Sequence, residues 1–482
     1  MEEKMKKLVT TAILAACMAM PAFAQPSEEA FVFEEKGGEK VDAFRGRIMV
    51  PENRANPKSR MIPVTYVRFA ATGEQKGPPI IYLAGGPGGS GIGTAKYRRF
   101  DMFMALRAYG DVIALDQRGT GASNILPECV SSKVVPPTEA ISDAAYIALN
   151  RAAFEECLAF WKSEGVDVAG YNTVENARDI DALRQALGAE KVVLWGTSYG
   201  SHLAFAAMKE MGDHIDRVVV SSAEGLDQTI KLPALTDSYF GRLQKAVDSQ
   251  PAAKAAYGDI KALIGRVHGK LEAEPLLLHP RMKDGTVKDY LFQKRDMQLL
   301  ASYFISDPWA VQRLLSLYLA MDYDMTAPFE ALIADWFVPG EPIKMDAMST
   351  LMDVASGMSD KRRALVKAQA RDALLGDWLN FTYHYDGLAP ELDLGDAFRV
   401  GPVSNIPTLL LTGTLDGRTY VEGQAEATAG LSNLTQVTVV NAGHNLFMSS
   451  PEVQEAINAF MEGKPQPRDE IVLELQDLAP KQ

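Results

Sequence analysis

Ser198 lies at the centre of the segment whose residue types and spacing are best suited to chemistry. It is the third residue of Gly196-Thr197-Ser198-Tyr199-Gly200, which fits the pattern Gly-x-Ser-x-Gly. The apolar run 192–195 predicts a buried strand before the pattern, and 202–208 continues after it at helical spacing. A serine on a tight strand-to-helix turn is typical of a nucleophile elbow, where glycines avoid crowding a strained backbone. The alternative is a chance match in a serine-containing loop, and the flanking strand and helix favour the elbow.

His444 is the histidine best placed to act as the base that a serine nucleophile needs. The chain has six histidines. Of these, His444 follows a predicted core strand at 436–440 and sits in a Gly-His-Asn loop. It also lies C-terminal to both the serine and the predicted acid. That order, serine then acid then histidine, is the one expected for a nucleophile elbow.

Asp416 is the predicted acid, which would orient the imidazole and stabilise its protonated form. It follows the strand predicted at 407–411, in the loop Gly413-Thr414-Leu415-Asp416-Gly417. An aspartate in such a loop can also be an ordinary turn former. Glu224 and Asp227, which follow the preceding predicted strand, are the alternatives for the acid.

A glycine-rich turn, Gly85-Gly86-Pro87-Gly88-Gly89, follows the strand predicted at 80–83. The tetrahedral intermediate of acyl transfer needs backbone N–H donors at its oxyanion. We expect these from Tyr199, directly after the nucleophile, and from Gly86. Phosphate binding is the alternative for the turn. It is disfavoured because no lysine follows at the required spacing and because Pro87 lacks an N–H.

The alternation of apolar strands with helices predicts an α/β fold with a mostly parallel central sheet flanked by helices. Residues 31–71 alternate polar and apolar types and predict antiparallel strands before it. Between 227 and 399 helical spacing dominates and no strand-like run of four or more β-branched residues occurs. We therefore predict a first core part at 25–226, a helical cap at 227–399 and a second core part at 400–482.

Residues 1–24 are predicted to be a signal peptide, which implies an exported, periplasmic or secreted protein. Lys4, Lys6 and Lys7 precede a short apolar run, and Ala22-Phe23-Ala24 fits a cleavage site. The run is too short to span a membrane. The competing interpretation is a lipoprotein processing box with Cys17 as the lipidated residue.

Two cysteines remain after such a cleavage, Cys129 and Cys157. An even pair in an oxidising compartment predicts a disulfide. Two unlinked thiols are the alternative, because Cys157 lies on the apolar face of a predicted helix, where a buried free thiol is ordinary.

The charge balance is acidic, with 49 Lys and Arg against 62 Asp and Glu in 482 residues and a net charge of −13. The sequence has no basic stripe with interleaved aromatic residues, so nucleic acid is not an expected partner. The hydrophobic content of 47% is ample for a sizeable core.

Several of these segments, taken together, resemble the proline iminopeptidase and tripeptidyl aminopeptidase branch of the α/β-hydrolases. The segments that carry the resemblance are GGPGGSG, DQRGTGAS, NTVENARDIDALRQALG, GTSYGS, GTLDGRT and the Gly-His pair at 443–444. The resemblance implies a secreted serine exopeptidase that removes residues from free peptide N-termini and needs no metal or cofactor. It assigns the nucleophile to Ser198, the acid to Asp416 and the base to His444, with oxyanion donors at Gly86 and Tyr199.

The sequence departs from that family at two positions, Ala84 where members often have histidine and Tyr420 where proline is usual. The family's cap glutamates, which hold the substrate's α-amino group, have no evident counterpart here. Among the acids of the predicted cap, Glu330, Asp335 and Asp377 lie next to aromatic residues and are candidates for that role.

The expected function is therefore an aminopeptidase that acts by acyl transfer through Ser198 on peptides with free N-termini. A carboxylic-ester hydrolase with the same triad is the alternative, which a cap without amine-binding acids would favour. A catalytically inactive binding protein is a third reading, and it is disfavoured because a binding module does not need all three triad residues.

Overall fold

The computed structural model describes residues 27–74 and 76–481. The predicted signal peptide, residues 1–24, and Cys17 lie outside the described residues. Within that part of the chain, the strands are β1 (Glu29–Glu34), β2 (Lys40–Pro51), β3 (Met61–Phe69), β4 (Ile80–Leu83), β5 (Val112–Leu115), β6 (Cys129–Val134), β7 (Val192–Ser198), β8 (Ile215–Ala223), β9 (Leu276–Leu278), β10 (Tyr290–Phe292), β11 (Pro342–Met345), β12 (Thr408–Gly413), β13 (Leu434–Val440) and β14 (Glu470–Val472).

The helices of the same ranges are α1 (Gly91–Tyr97), α2 (Phe100–Leu106), α3 (Asp143–Ser163), α4 (Thr173–Ala186), α5 (Tyr199–Met211), α6 (Pro233–Asp248), α7 (Pro251–Tyr257), α8 (Ile260–Ala273), α9 (Lys294–Phe304), α10 (Pro308–Asp322), α11 (Ala327–Trp336), α12 (Ala347–Ser356), α13 (Asp360–Gln369), α14 (Gly395–Arg399), α15 (Val421–Thr428) and α16 (Pro451–Met461). None of them combines the length and apolarity needed to cross a membrane.

Ten strands form one sheet in the order β1-β2-β3-β5-β4-β7-β8-β12-β13-β14. The pairings from β5 to β14 are parallel, whereas β1, β2 and β3 join antiparallel to each other and to β5. This arrangement agrees with the predicted mostly parallel sheet and with the antiparallel strands expected at 31–71.

The parallel strands β4, β5, β7 and β12 are buried on both faces, which explains why they appear in the sequence as apolar runs. In β7, Val192 and Leu194 belong to the cluster with α3, α4 and α5, whereas Val193 and Trp195 belong to the cluster with α2 and α16. Successive side chains of a strand point to opposite faces, so one short run serves both layers.

The carboxyl ends of β4, β7, β8, β12 and β13 are neighbours along one edge of the sheet. Since sites of open α/β sheets form outside the carboxyl ends of the strands, the loops after these five strands can meet at one place. These loops carry the glycine-rich turn, Ser198, Glu224, Asp416 and His444.

The segment predicted as a helical cap contains α6 to α14, and many of its apolar side chains form a cluster of their own. The segment is mostly helical but also contains short strands, because β9 pairs with β10 and β11 pairs with β6. Strands of three or four residues leave no periodic pattern that sequence analysis can detect. The boundaries at 226 and 399 remain a prediction.

A disulfide joins Cys129 of β6 to Cys157 of α3, across 28 positions of sequence. Both cysteines are buried. Because β6 also pairs with β11, the bond ties this strand pair to α3.

Replacing Cys157 by alanine should lower the free energy of unfolding by about 3.5 kcal/mol, since the open chain regains the entropy of a closed loop. Urea denaturation of the variant and of the wild type measures the loss, and wild type reduced with dithiothreitol is the matched control. If both cysteines of the unfolded, unreduced protein react with an alkylating agent, the bond is not formed in the protein.

Candidate active site

The turn at Ser198 connects β7 directly to α5. Ser198 has φ 55° and ψ −130°, a backbone conformation that residues other than glycine rarely adopt. A Cβ atom on Gly196 would lie 2.6 Å from the carbonyl oxygen of Gly200, and one on Gly200 would lie 2.1 Å from that of Leu83. Both glycines are therefore required by close backbone contacts, and the strained turn leaves the Ser198 side chain partly exposed at the end of the sheet.

His444 and Asp416 are brought together from the loops after β13 and β12. His444 Nδ1 lies 2.9 Å from Asp416 Oδ2 and 3.1 Å from Oδ1. Asp416 is fully buried, and its carboxylate also accepts the backbone N–H groups of Arg418 and Thr419 and the Thr419 hydroxyl. Burial alone would raise the pKa of Asp416, but His444 and Thr419 outweigh it and hold that pKa below its ordinary value. The carboxylate is thus kept ionised and can fix the tautomer of the ring.

The two alternative acids are engaged elsewhere. Glu224 Oε2 lies 2.5 Å from Lys231 Nζ. Asp227 accepts the backbone N–H and the hydroxyl of Ser359. Of the three candidate acids, Asp416 is the one that contacts His444.

The loop that carries His444 is held by the link between α9 and α10. The His444 N–H donates to the Ser306 carbonyl at 2.8 Å, and Asn445 donates to both carboxylate oxygens of Asp307. A Cβ on Gly443 would lie 2.6 Å from Asp307 Cα, so the two segments touch at backbone distance. Ser306 and Asp307 carry no functional signal in the sequence, because an aspartate before a proline at the start of a helix is typical of an N-cap.

The glycine-rich turn lies beside the serine because β4 pairs with β7. A Cβ on Gly85 would lie 2.8 Å from the Thr197 carbonyl oxygen and 3.8 Å from Ser198 Oγ. Gly86 has φ +129° and is followed by a cis peptide bond to Pro87. Among the described residues, the N–H groups of Gly86 and Tyr199 donate no hydrogen bond to the protein, so both remain free for an anionic ligand.

Ser198 Oγ and His444 Nε2 form no hydrogen bond in the described part of the chain. In proteins without bound substrate, a catalytic hydrogen bond is often long and tightens only in the substrate complex.

Helix α12 of the predicted cap covers this region. A Cβ on Gly88 would lie 3.5 Å from Ser349 Cβ, and one on Gly119 would lie 3.0 Å from Met348 Cγ. The Tyr199 hydroxyl donates to Met352 Sδ at 3.3 Å. This helix therefore packs on the glycine-rich turn, on the loop after β5 and on the residue that follows Ser198.

Asp353 of α12 and Glu224, after β8, form an acidic pair near the nucleophile turn. Burial, supported by the Glu224 carboxylate and opposed by Lys231 and Arg418, raises the pKa of Asp353 to about 8. Burial, and to a smaller extent the charges of Asp353 and Glu224, also raises the pKa of the Tyr199 hydroxyl. No described residue donates a hydrogen bond to the Asp353 carboxyl group, whereas Glu224 has Lys231 as its partner. Sequence analysis had no signal for Asp353, which is a single acid in an apolar helix.

The three cap acids suggested by the sequence lie elsewhere. Glu330 accepts the His279 N–H, Asp335 is 68% exposed and faces Lys283, and Asp377 lies 3.9 Å from His384. None of the described contacts joins them to the loops that carry Ser198, Asp416 and His444. No group of three or more His, Cys, Asp or Glu side chains in residues 27–74 and 76–481 is arranged to hold a metal ion.

Two family profiles match this chain. One, described as alpha/beta hydrolase fold, matches residues 78–322, about half of the chain. The other, described as TAP-like protein, matches residues 395–472. The chain belongs to the α/β-hydrolase family. The resemblance inferred from the sequence motifs is thereby confirmed, and so is the fold class.

Curated relatives of this α/β-hydrolase include two peptidases. The tripeptidyl aminopeptidase of Streptomyces lividans is 30% identical over 252 residues, which cover 47% of this chain and 45% of the relative. The serine protease Hip1 of Mycobacterium tuberculosis strain H37Rv is 28% identical over 216 residues, 43% of this chain and 41% of the relative. The chain thus spans less than half the length of the curated relatives it matches.

Among solved structures, a thermophilic esterase from Thermogutta terrifontis is 15% identical to this α/β-hydrolase. The match covers 86% of this chain and 98% of the esterase, at a TM-score of 0.37. At that identity and TM-score, the likeness says nothing about activity.

Gly200→Ala should destabilise the protein by roughly 1–3 kcal/mol, because the new methyl group would lie against the Leu83 carbonyl and force the backbone apart. Gly265→Ala is the matched control, since Gly265 is exposed in α8 with open space around its Cα. That control should be neutral or stabilising by up to about 1 kcal/mol. Urea unfolding measures both, and equal effects of the two substitutions would contradict the close contact at Gly200.

Ionisation of Asp353 should lower the free energy of unfolding as the pH rises from about 4 to about 8. Its folded pKa lies above the ordinary aspartate value near 3.9, so in this window the folded state holds a proton that the unfolded state has released. The free energy of unfolding therefore falls with pH. Asp353→Asn removes this titration, and its gain in stability over wild type should be larger at pH 8 than at pH 4.

Urea unfolding at both pH values tests this, with Asp324→Asn as the control because the Asp324 side chain is 84% exposed. A difference between Asp353→Asn and wild type that does not change with pH would show that the pKa of Asp353 is ordinary.

Proposed function

We propose that this protein is an exported serine peptidase that removes residues from the free N-terminus of peptides through an acyl-enzyme on Ser198. The single observation that carries the N-terminal part of the proposal is the Asp353 carboxyl group. It is partly buried, lies near Glu224 and near Tyr199 of the nucleophile turn, and accepts no hydrogen bond from a described residue. The names of the two peptidase relatives support the same activity.

In the proposed reaction Ser198 Oγ attacks the carbonyl carbon of the scissile peptide bond, and His444 Nε2 accepts the hydroxyl proton. The ring becomes an imidazolium, whose Nδ1–H group is held by the Asp416 carboxylate 2.9 Å away. His444 then gives the proton to the leaving amine. In the second half, His444 takes a proton from water as the water oxygen attacks the acyl carbon, and it returns that proton to Ser198 Oγ when the bond between Ser198 and the acyl group breaks.

The oxyanion of each tetrahedral intermediate is stabilised by the N–H groups of Gly86 and Tyr199 in this proposal. The positions of Tyr199 and of the glycine-rich turn support this assignment. Tyr199 directly follows Ser198 at the start of α5, and the glycine-rich turn touches the Ser198 side chain through Gly85. Neither N–H has a partner in the described protein, so neither has to break a hydrogen bond when the oxyanion forms.

The substrate's α-ammonium group binds beside Asp353 and Glu224 in this proposal. A cation withdrawn from water is tolerated only next to carboxylates, and a partly buried carboxyl group that has no hydrogen-bond donor gains from a cation. Lys231 forms an ion pair with Glu224, whereas Asp353 feels the charges of Lys231 and Arg418 but forms no ion pair with a described residue, so an ammonium group can be its direct partner. The ammonium would lower the pKa of Asp353 and ionise it.

Export is supported by the sequence of residues 1–24 and by the disulfide between Cys129 and Cys157. Disulfides persist in oxidising compartments and are rare in the cytosol.

Chromogenic anilides of one, two and three residues should be cleaved when their N-termini are free. Acetylation of the same peptides removes the positive charge and leaves Asp353 unpaired, which should cost about 2–5 kcal/mol in the transition state, a loss of at least thirtyfold in kcat/KM. The Asp353→Asn variant should lose activity on peptides with free N-termini, whereas its activity on the acetylated peptides should change little. Asp324→Asn, an exposed acid, is the matched control and should behave as wild type.

Ser198→Ala should abolish cleavage of every anilide. Equal rates on free and acetylated peptides would contradict the recognition of a free N-terminus, and activity that survives Ser198→Ala would contradict the nucleophile. Cleavage of short acyl esters without any cleavage of anilides would identify an esterase instead.

A further inference from the structure

A cavity of about 670 Å³ lies among α9, α11 and the chain between α11 and β11, separate from the residues of the proposed reaction. Ser198, Asp416 and His444 do not line it. Its volume is in the range typical of small-molecule sites. Its walls are rich in aromatic side chains, including Tyr146, Tyr290, Tyr303, Trp336 and Phe337.

The aromatic walls are held in place by contacts with one another. Trp336 stacks on Phe304 with a centroid distance of 5.5 Å and an interplanar angle of 4°, and Tyr303 packs against Trp336 edge to face. Tyr290 and Phe337 form another edge-to-face pair at 5.1 Å. Yet Tyr303 and Trp336 remain 68% and 47% exposed, so these rings stay open to a ligand from outside.

The charged groups that line the cavity are all acidic, namely Asp296, Asp335 and Glu341. Asp335 and Glu341 are exposed, and Lys283 and Lys344 lie 3.5 Å from them. Asp296 differs from these two acids in burial and in pairing. Its side chain is only 10% exposed, and the nearest charged group to its carboxylate in the described residues is Arg295, whose Nε lies 4.0 Å away.

Arg295 is itself committed to other partners. Its guanidinium donates to the Ile141 carbonyl at 2.7 Å and packs over the Tyr146 ring at 4.7 Å. The Asp296 carboxylate accepts the Gln293 N–H at 2.7 Å, and burial raises the pKa of Asp296 to about 6. The interior of the cavity therefore combines a weakly compensated carboxylate with the faces and edges of aromatic rings.

We propose that this cavity is a binding site for an organic ammonium ion that carries an apolar, aromatic body. The charges of the lining favour a positively charged ligand, because an anion would meet three carboxylates and no lysine or arginine there. A positive charge near Asp296 balances the buried carboxylate, and aromatic rings attract cations through their negative faces. The apolar body of the ligand fills the rest of the volume against Leu300, Phe329 and Ile333.

Isothermal titration calorimetry on the Ser198→Ala variant tests the proposal, with 4-phenylbutylammonium and its neutral counterpart 4-phenylbutan-1-ol as probes. The ammonium should bind at least tenfold more tightly than the alcohol. Asp296→Asn keeps an acceptor for the Gln293 N–H and should weaken binding of the ammonium at least tenfold, while binding of the alcohol changes little. Trp336→Ala should weaken both probes.

Two controls separate this site from the proposed catalytic one. Tyr323→Ala and Asp324→Asn alter an exposed aromatic residue and an exposed acid outside the cavity, and both should bind the probes as the parent does. Equal affinities for the two probes, or loss of ammonium binding on Asp353→Asn instead of Asp296→Asn, would overturn the proposal. Because this experiment measures binding and not hydrolysis, a negative result would not bear on the proposed peptidase activity, which the anilide assays test separately.

Discussion

The backbone around Ser198 packs so closely, both within its own turn and against the end of β4, that glycine is required at three positions. Added Cβ atoms would lie 2.1 Å from the Leu83 carbonyl at Gly200, 2.6 Å from the Gly200 carbonyl at Gly196, and 2.8 Å from the Thr197 carbonyl at Gly85. These contacts bring the glycine-rich turn against the serine and hold Ser198 in its left-handed conformation. The proposed oxyanion donors and nucleophile are thus positioned by main-chain packing, which does not depend on side-chain rotamers.

A second constraint is a buried network of ion pairs that joins the Asp-Gln-Arg segment after β5 to α4 and to the loop after β2. Arg118, from the Asp-Gln-Arg segment after β5, is fully buried and contacts Asp179 of α4 through two nitrogens. It also donates to the carbonyl groups of Glu52 and Gly170, and Arg54 contacts Asp179 and Glu175. Buried ion pairs contribute little net stability but penalise any arrangement that leaves a charge alone. The network therefore specifies how α4 and the loops after β2 and β5 sit beside the sheet.

Much of the fold and of the candidate triad was predictable, because the signals are local. Two-sided burial produces the apolar runs of β4, β7 and β12, and the elbow pattern marks Ser198 by its glycines. His444 and Asp416 follow from strand ends and chain order. Asp353, Ser306 and Asp307 were not predictable, since the partners of each include residues more than a hundred positions away in sequence. The pairing of β6 with β11 was not predictable either, because β11 has only four residues and its partner is distant in sequence.

The central claim, that Ser198 forms an acyl-enzyme with a peptide whose N-terminus is free, can be tested most directly by trapping that intermediate. A tripeptide p-nitrophenyl ester with a free N-terminus is mixed with the protein, quenched in acid within the first turnover, and digested for mass spectrometry. The account predicts a tripeptidyl adduct on the fragment that contains Ser198, formed much more slowly from the N-acetylated ester. An adduct on another residue, or equal rates of formation from both esters, would contradict it.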